Sequence, residues 1–157
     1  MKIALLQTGK TTDKSISGIA DLYTSRIKRY NPFEIITIQD IRNPGATPAS
    51  EIRAKEGKKI LEMLTREDLV VLLDERGREF RTADFADWLE KSMMLSRKRI
   101  AFVIGGAWGF SEEICERADL LVSLSKMTFP HQLVRLLFLE QLYRAFTILR
   151  NEPYHHE

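Results

Sequence analysis

Two runs, Leu69-Val70-Val71-Leu72-Leu73 and Ile100-Ala101-Phe102-Val103-Ile104, contain no polar side chain. Successive strand residues point to opposite faces, so a strand can be apolar throughout only if both faces are covered. These runs therefore call for helices above and below a sheet. Sheets of that kind are built from parallel strands joined by crossover helices.

The rest of the chain supplies the alternation. Lys2–Thr8 reads as a strand ending at Gly9. Asp13 suits the cap of a helix from Lys14 to Tyr30, with Ile16, Ile19, Ala20, Tyr23 and Ile27 at helical spacing. Asn31-Pro32 stops that helix, Phe33–Gln39 alternates as a second strand, and Asn43-Pro44-Gly45 marks a loop. Pro48 sits in the first turn of a helix reaching Leu64. After the third strand, Asp74-Glu75-Arg76-Gly77 is expected to turn out of the sheet. Thr82 is expected to cap a helix carrying Phe85, Trp88, Leu89 and Met93. Ser111 would cap a short helix whose first turn places Glu112 and Glu113 at the positive end of its dipole. Leu120–Leu124 is a fifth strand, and a final helix runs from Pro130 to Arg150. This order predicts an α/β fold with a mostly parallel sheet and helices on both faces, residues 1–157 forming a single domain.

Composition narrows the function classes. No run of about 18 apolar residues is present, and Met1–Gly9 lacks a cleavage site, so neither a membrane span nor a secretory signal is expected. The one cysteine, Cys115, excludes an internal disulfide and fits a reducing, cytoplasmic setting; it reads as a small packing residue on a short helix. A net charge of +2 does not announce nucleic-acid binding. The positive charge is nevertheless clustered, at Arg26-Lys28-Arg29, Arg53-Lys55-Lys58-Lys59, Arg76-Arg78-Arg81 and Arg97-Lys98-Arg99. These clusters are either solvated faces or phosphate contacts.

The final helix is apolar around nearly its whole circumference, with Leu133, Val134, Leu136, Leu137, Phe138, Leu139, Leu142, Tyr143, Phe146 and Leu149. Such a helix must be covered on more than one side. The sheet can cover one side and a second copy the other, which predicts an isologous homodimer.

Three segments could form a site. Gly105-Gly106-Ala107-Trp108-Gly109 follows a buried strand, and its glycines permit close backbone approach to a ligand. It is equally a tight strand-to-helix turn, and it is not a dinucleotide fingerprint. Ser125-Lys126-Met127-Thr128-Phe129-Pro130-His131 offers hydroxyls, apolar walls and the free N–H groups of a helix start. Its alternative is plain capping by Thr128. The tail Asn151–Glu157 holds Tyr154, His155 and His156, which form either a functional group or a frayed end. Adjacent histidines lack helical metal-ligand spacing and no Cys/His cluster accompanies them, so no metal is expected. Asp74 stands where α/β folds place functional carboxylates, or is a turn residue paired with Arg76 or Arg78.

The loop G-G-A-W-G-F-S, the segment L-S-K-M-T-F-P-H-Q-L-V-R-L-L, the helix E-Q-L-Y-R-A-F-T-I-L and the end N-E-P-Y-H-H-E together resemble the RlmH-type ribosomal RNA methyltransferases of the SPOUT class. The resemblance covers the whole chain and is most specific from Ile104 onward. Ala107 departs from it, where that family more often has proline; the contact there is expected to be backbone. The resemblance implies a C-terminal trefoil knot, which periodicity does not show, and S-adenosylmethionine as cofactor. It implies methylation at N3 of a pseudouridine in helix 69 of 23S ribosomal RNA, on assembled ribosomes, by a homodimer without a separate RNA-binding domain. Carried onto this chain, the cofactor would be held by Leu73, Gly105, Gly106, Ser125, Lys126, Met127, Thr128, Phe129 and Pro130.

The reaction needs the weakly acidic uracil N3–H removed. His155 is the first candidate base and His156 the second, because histidine titrates near neutrality. Arg144 would stabilise the developing ring anion, Tyr154 would stack on or orient the base, and Arg135 would contact the tail or a phosphate. Three rivals remain: a SPOUT enzyme acting on another RNA, a non-catalytic ribosome-binding factor of the same fold, and a flavodoxin-like domain. The last lacks its acidic phosphoacceptor pattern and phosphate loop.

Overall fold

The computed structural model describes residues 1–42 and 45–156. Five strands alternate with five helices: β1 (Lys2–Thr8), α1 (Lys14–Ile27), β2 (Phe33–Ile38), α2 (Ala49–Glu62), β3 (Asp68–Glu79), α3 (Thr82–Met93), β4 (Arg99–Ile104), α4 (Glu112–Arg117), β5 (Leu120–Ser123) and α5 (His131–Leu149). The strands form one sheet in the order β2-β1-β4-β3-β5, and every pairing is parallel.

The apolar runs are explained by their two-faced burial. Ile3, Leu5, Val71, Leu73, Ile100 and Phe102 point to the side covered by α1, α3 and α5. Ala4, Leu6, Val70, Leu72, Ala101 and Val103 point to the side covered by α2 and α4. Phe102 meets Phe138 of α5 with ring centroids 4.7 Å apart, tying the central strand to the last helix. The near edge of β3 and β4 is closed by an ion pair. Arg99 donates to both oxygens of Asp68, at 2.9 and 2.5 Å, and Asp68 is only 2% exposed.

Several local expectations need correction. The segment Asp74–Gly77 does not leave the sheet. It is an irregularity within β3, which pairs with β5 at Leu73↔Val122 and again at Arg78↔Val122. Asp74 accepts from the Arg76 backbone N–H and from its guanidinium at 2.8–2.9 Å, which makes the turn; β3 then resumes. Gly77 permits this, because a Cβ there would lie 2.5 Å from the Leu121 carbonyl carbon. Asp13 does cap α1, accepting from the N–H groups of Ser15 and Ile16. Thr82 does not cap α3: it is the first helical residue and its hydroxyl pairs with Gln141. Ser111 holds the cap position of α4 without a side-chain cap bond, and its hydroxyl is buried and unpaired. Pro48 and Pro130 are cap residues, not first-turn residues. α1 ends at Ile27, three residues early, with Lys28 to Tyr30 in turns. The expected loop at Asn43-Pro44 lies outside the described residues.

The girdle of α5 is largely satisfied within the chain, because α5 packs against both α1 and α3 as well as β4. Leu133, Leu136 and Leu137 stay partly open on the remaining side. No helix among the described residues is long and apolar enough to cross a membrane.

Candidate functional site

The irregular stretch 73–76 of β3 lies beside the C-terminal ends of β4 and β5, and together with the loops that follow β4 and β5 it lines a cavity of about 530 Å³. Parallel sheets place ligands at this edge, where strand-end loops expose backbone groups. Its walls include Leu73, Gly105, Gly106, Ser125, Thr128 and Phe129, with Met127 at the rim. Thus seven of the nine residues expected to hold the cofactor face one cavity; Lys126 and Pro130 belong to the same loop but do not line it.

Each wall has a local cause. A Cβ on Gly105 would stand 3.1 Å from the Phe110 ring, and one on Gly106 would stand 2.7 Å from a Glu56 oxygen, so both glycines let the turn lie close to its support. Gly109 takes a φ of 78°, closing the turn in the left-handed region. In the second loop the Met127 N–H donates to Ser125 Oγ at 2.9 Å, and the Thr128 hydroxyl pairs with Glu75 at 3.4 Å. Thr128 is therefore not the cap of α5, which has no side-chain cap.

Arg53, Trp108 and His131 also line the cavity and were not singled out as site residues from sequence. Asp74 sits at its edge, but its carboxylate is engaged by Arg76, which together with burial sets its acidity; the hydrogen bonds win and hold it below the usual range. Burial and the charge of Arg135 push the His131 imidazole down, favouring its neutral form. Glu56, 5% exposed, supports the glycine turn from below; burial pushes its carboxyl up, while the N–H groups of Ile41 and Gly106 oppose that.

Residues 151–156 of the tail form a separate cluster. Asn151 adopts a φ of 55° just after α5, and the Glu152 N–H returns to the Thr147 carbonyl at 2.9 Å. Glu152 accepts from Tyr30 at 2.6 Å, and the Tyr154 hydroxyl lies 3.3 Å from both Tyr23 and Glu140. Arg144 grips Glu140, stacks over the Tyr154 ring at 4.8 Å, and approaches His155 Nδ1 at 3.5 Å. Burial and the neighbouring Tyr23 raise the Tyr154 pKa, so its phenol stays protonated. His156 is exposed beyond this cluster. Arg135 does not reach the tail: it is 1% exposed and donates to the Thr8 carbonyl and the Thr11 hydroxyl.

The structure brings Arg144, Tyr154 and His155 together, but not with the cavity. The cavity adjoins the first turn of α5 and the tail follows its last. A helix of that length spans about 28 Å at ~1.5 Å per residue. One chain therefore presents the cavity and the tail cluster at opposite ends of one helix. Among the described residues no cluster of three or more His, Cys, Asp or Glu groups is placed to hold a metal.

Comparison with known proteins places the chain in a family. The family described as predicted SPOUT methyltransferases matches residues 1–155. The ribosomal RNA large subunit methyltransferase H of Christiangramia forsetii is 48% identical over 99% of both chains. The protein of the same name from Flavobacterium johnsoniae is 49% identical over the full length of both, and that from Phocaeicola vulgatus 46%. Among solved structures, a probable methylase family protein from Haemophilus influenzae covers 99% of this chain and 70% of its own, with a TM-score of 0.52 and 14% identity, a likeness of fold alone. With the family model spanning nearly the whole chain and curated relatives near half-identical along all of it, the chain belongs to the SPOUT methyltransferase family, in the group named ribosomal RNA large subunit methyltransferase H.

Proposed function

We propose that this protein is a cytoplasmic S-adenosylmethionine-dependent methyltransferase that acts on N3 of a pseudouridine in helix 69 of 23S ribosomal RNA, on assembled ribosomes, as a single-domain homodimer. The observation that carries this reading is the cavity beneath Gly105-Gly106 and Ser125–Phe129, in a chain whose near-identical-length relatives bear a ribosomal RNA methyltransferase name.

The cavity suits the cofactor. Leu73, Ile104, Leu124 and Val134 give apolar walls for an adenine ring, and the glycine turn offers unobstructed backbone groups. When bound, S-adenosylmethionine supplies an electrophilic methyl group. The family's threaded C-terminus belongs to the same reading.

The chain's own contribution is position and proton removal. Because the tail lies a helix-length from its own cavity, the tail of a second copy is the group that completes each site. The half-open strip of Leu133, Leu136 and Leu137 on α5 is suited to bring that copy alongside. His155 accepts the N3 proton. Arg144 keeps its charge, since Glu140 raises its pKa, and stabilises the ring anion. Tyr154 orients the base, and His156 stands as the alternative acceptor.

Methyl transfer from labelled S-adenosylmethionine to intact ribosomes tests the reading, with ribosomes lacking the helix 69 pseudouridines as control. Label in large-subunit RNA only when pseudouridine is present is expected. Cofactor binding without such transfer would redirect the enzyme to another RNA; no cofactor binding would make it a non-catalytic ribosome-binding factor.

A further inference from the structure

A second cavity, of about 640 Å³, adjoins the first. The two share Gly106, Ala107, Trp108 and His131, so the glycine turn and the start of α5 form a wall between them. The other walls are the loops after β1 and β2, including Lys10, Gln39 and Arg42, with Thr37 near the end of β2 itself. A volume of this order holds a nucleotide-sized ligand.

Three features give the cavity a chemical character. First, the Trp108 indole stands at the shared wall, 49% exposed, and no ring packs against it among the described residues. A flat apolar side chain left half-open at a cavity wall is a stacking surface for a base. Second, Lys10 and Arg42 are exposed at the rim, and no ion pair engages either among the described residues. Third, Arg135 is buried behind the first turn of α5, bonded to a carbonyl and a hydroxyl, and Asp40 is the acid whose charge reaches it. A guanidinium behind a helix start adds to the positive potential of the N-terminus. Asp40 is the exposed carboxylate of this cavity, against Lys10 and Arg42 in its lining and Arg135 behind it; the other acid, Glu56, is buried beneath the glycine turn.

We propose that this second cavity seats the RNA nucleotide adjoining the one that reacts, its base stacked on Trp108 and its phosphates met by Lys10 and Arg42. The shared wall puts that nucleotide one step along the strand from the cofactor cavity. Gln39 and Thr37 then face the base edge. This inference rests on the RNA-methylating reading above and adds the path the strand takes into the site.

Co-sedimentation with purified assembled ribosomes tests it without relying on turnover. The double variant Lys10→Ala/Arg42→Ala is expected to bind ribosomes about tenfold more weakly, with a salt dependence shallower by about 1.4–1.8 in log–log slope. Its affinity for S-adenosylmethionine, read by calorimetry, should stay at the parental value. Trp108→Ala should likewise lose about tenfold in ribosome affinity and Trp108→Phe should recover most of it, because stacking needs a ring and not the indole N–H. Parental ribosome affinity in both the double variant and Trp108→Ala would overturn the assignment, and so would a parent protein with no affinity for ribosomes. A parent that binds ribosomes, loses them through these substitutions, yet transfers no methyl group would uphold the cavity and refute the proposed reaction.

Discussion

The Arg144 guanidinium lies over the Tyr154 ring, 4.8 Å from its centroid, while the same side chain donates to Glu140 and approaches His155. One residue thus ties α5 to the tail that follows it and fixes where the tail's histidine stands. Arg144→Ala should lower kcat by about 10²–10³ if it acts on the ring anion. Cofactor affinity should stay near the parental value, because Arg144 is not among the residues that line the cavity. Single-turnover kinetics with calorimetry on the same preparations separates the two effects.

The buried pair at the other edge of the sheet makes a prediction about stability. Burial raises the Asp68 carboxyl, but hydrogen bonds from Arg99 and Thr65 and the Arg99 charge outweigh it, holding the pKa below its usual value. The folded state therefore favours the carboxylate. That stability is fully present above the unfolded value of about 3.9 and is lost as pH falls through the lower folded value. Asp68→Ala should cost about 3–5 kcal/mol at neutral pH by leaving Arg99 without its partner, and should flatten the acid limb of a urea-midpoint profile.

Glu56 has the opposite sign. Burial first, and the charge of Asp40, raise its carboxyl above the usual range. The folded state holds the proton more tightly than the unfolded one, so this group's contribution is full below the ordinary glutamate value of about 4.3 and declines as pH rises through the folded value. Glu56→Gln keeps an oxygen for the Ile41 and Gly106 N–H groups and carries no charge. The variant should gain stability relative to the parent as pH rises above the ordinary glutamate value of about 4.3, measured by thermal unfolding at each pH.

Gly77→Ala should destabilise by about 1–3 kcal/mol, since the new Cβ would meet the backbone of Leu121 and Val122 at 2.5–2.6 Å. Because this irregularity seats Asp74, Glu75 and Arg76 at the cavity, cofactor affinity should fall as well. Urea unfolding and calorimetry check the two parts.

Much of this architecture is legible in the chain. Leu69–Leu73 and Ile100–Ile104 announce a doubly covered sheet because no other setting tolerates such runs, and Asp13 announces α1 because its carboxylate matches the free N–H groups there. The continuation of β3 past Gly77 was not legible. Asp74 and Arg76 make a real turn, and only the backbone of β5, distant in sequence, shows that the strand resumes. Thr82 misled for a related reason, its hydroxyl being drawn to Gln141 on α5. The burial of Arg135 did have a signal: it shares a helical face with Phe138, Leu139 and Leu142, which points it inward. The cavity's loops were readable from their glycines and hydroxyls. Trp108 and His131 lie within those loops but no signal marked them individually as walls, and Arg53, on α2, stood only in a cluster of positive charge. The separation of tail from cavity follows from the length of α5, and a sequence motif that spans both ends conceals it.

On the proposed reading two copies build each site, one giving the cavity and the other the tail. Mixing two inactive variants tests it most directly: His155→Ala, defective in the tail, and Gly105→Leu, whose added side chain would press on Phe110 and fill the cavity. After subunit exchange, methyl transfer to ribosomes should return to about a quarter of the parental rate, since half the dimers are mixed and each has one intact site. A mixture no more active than either variant alone would contradict the claim.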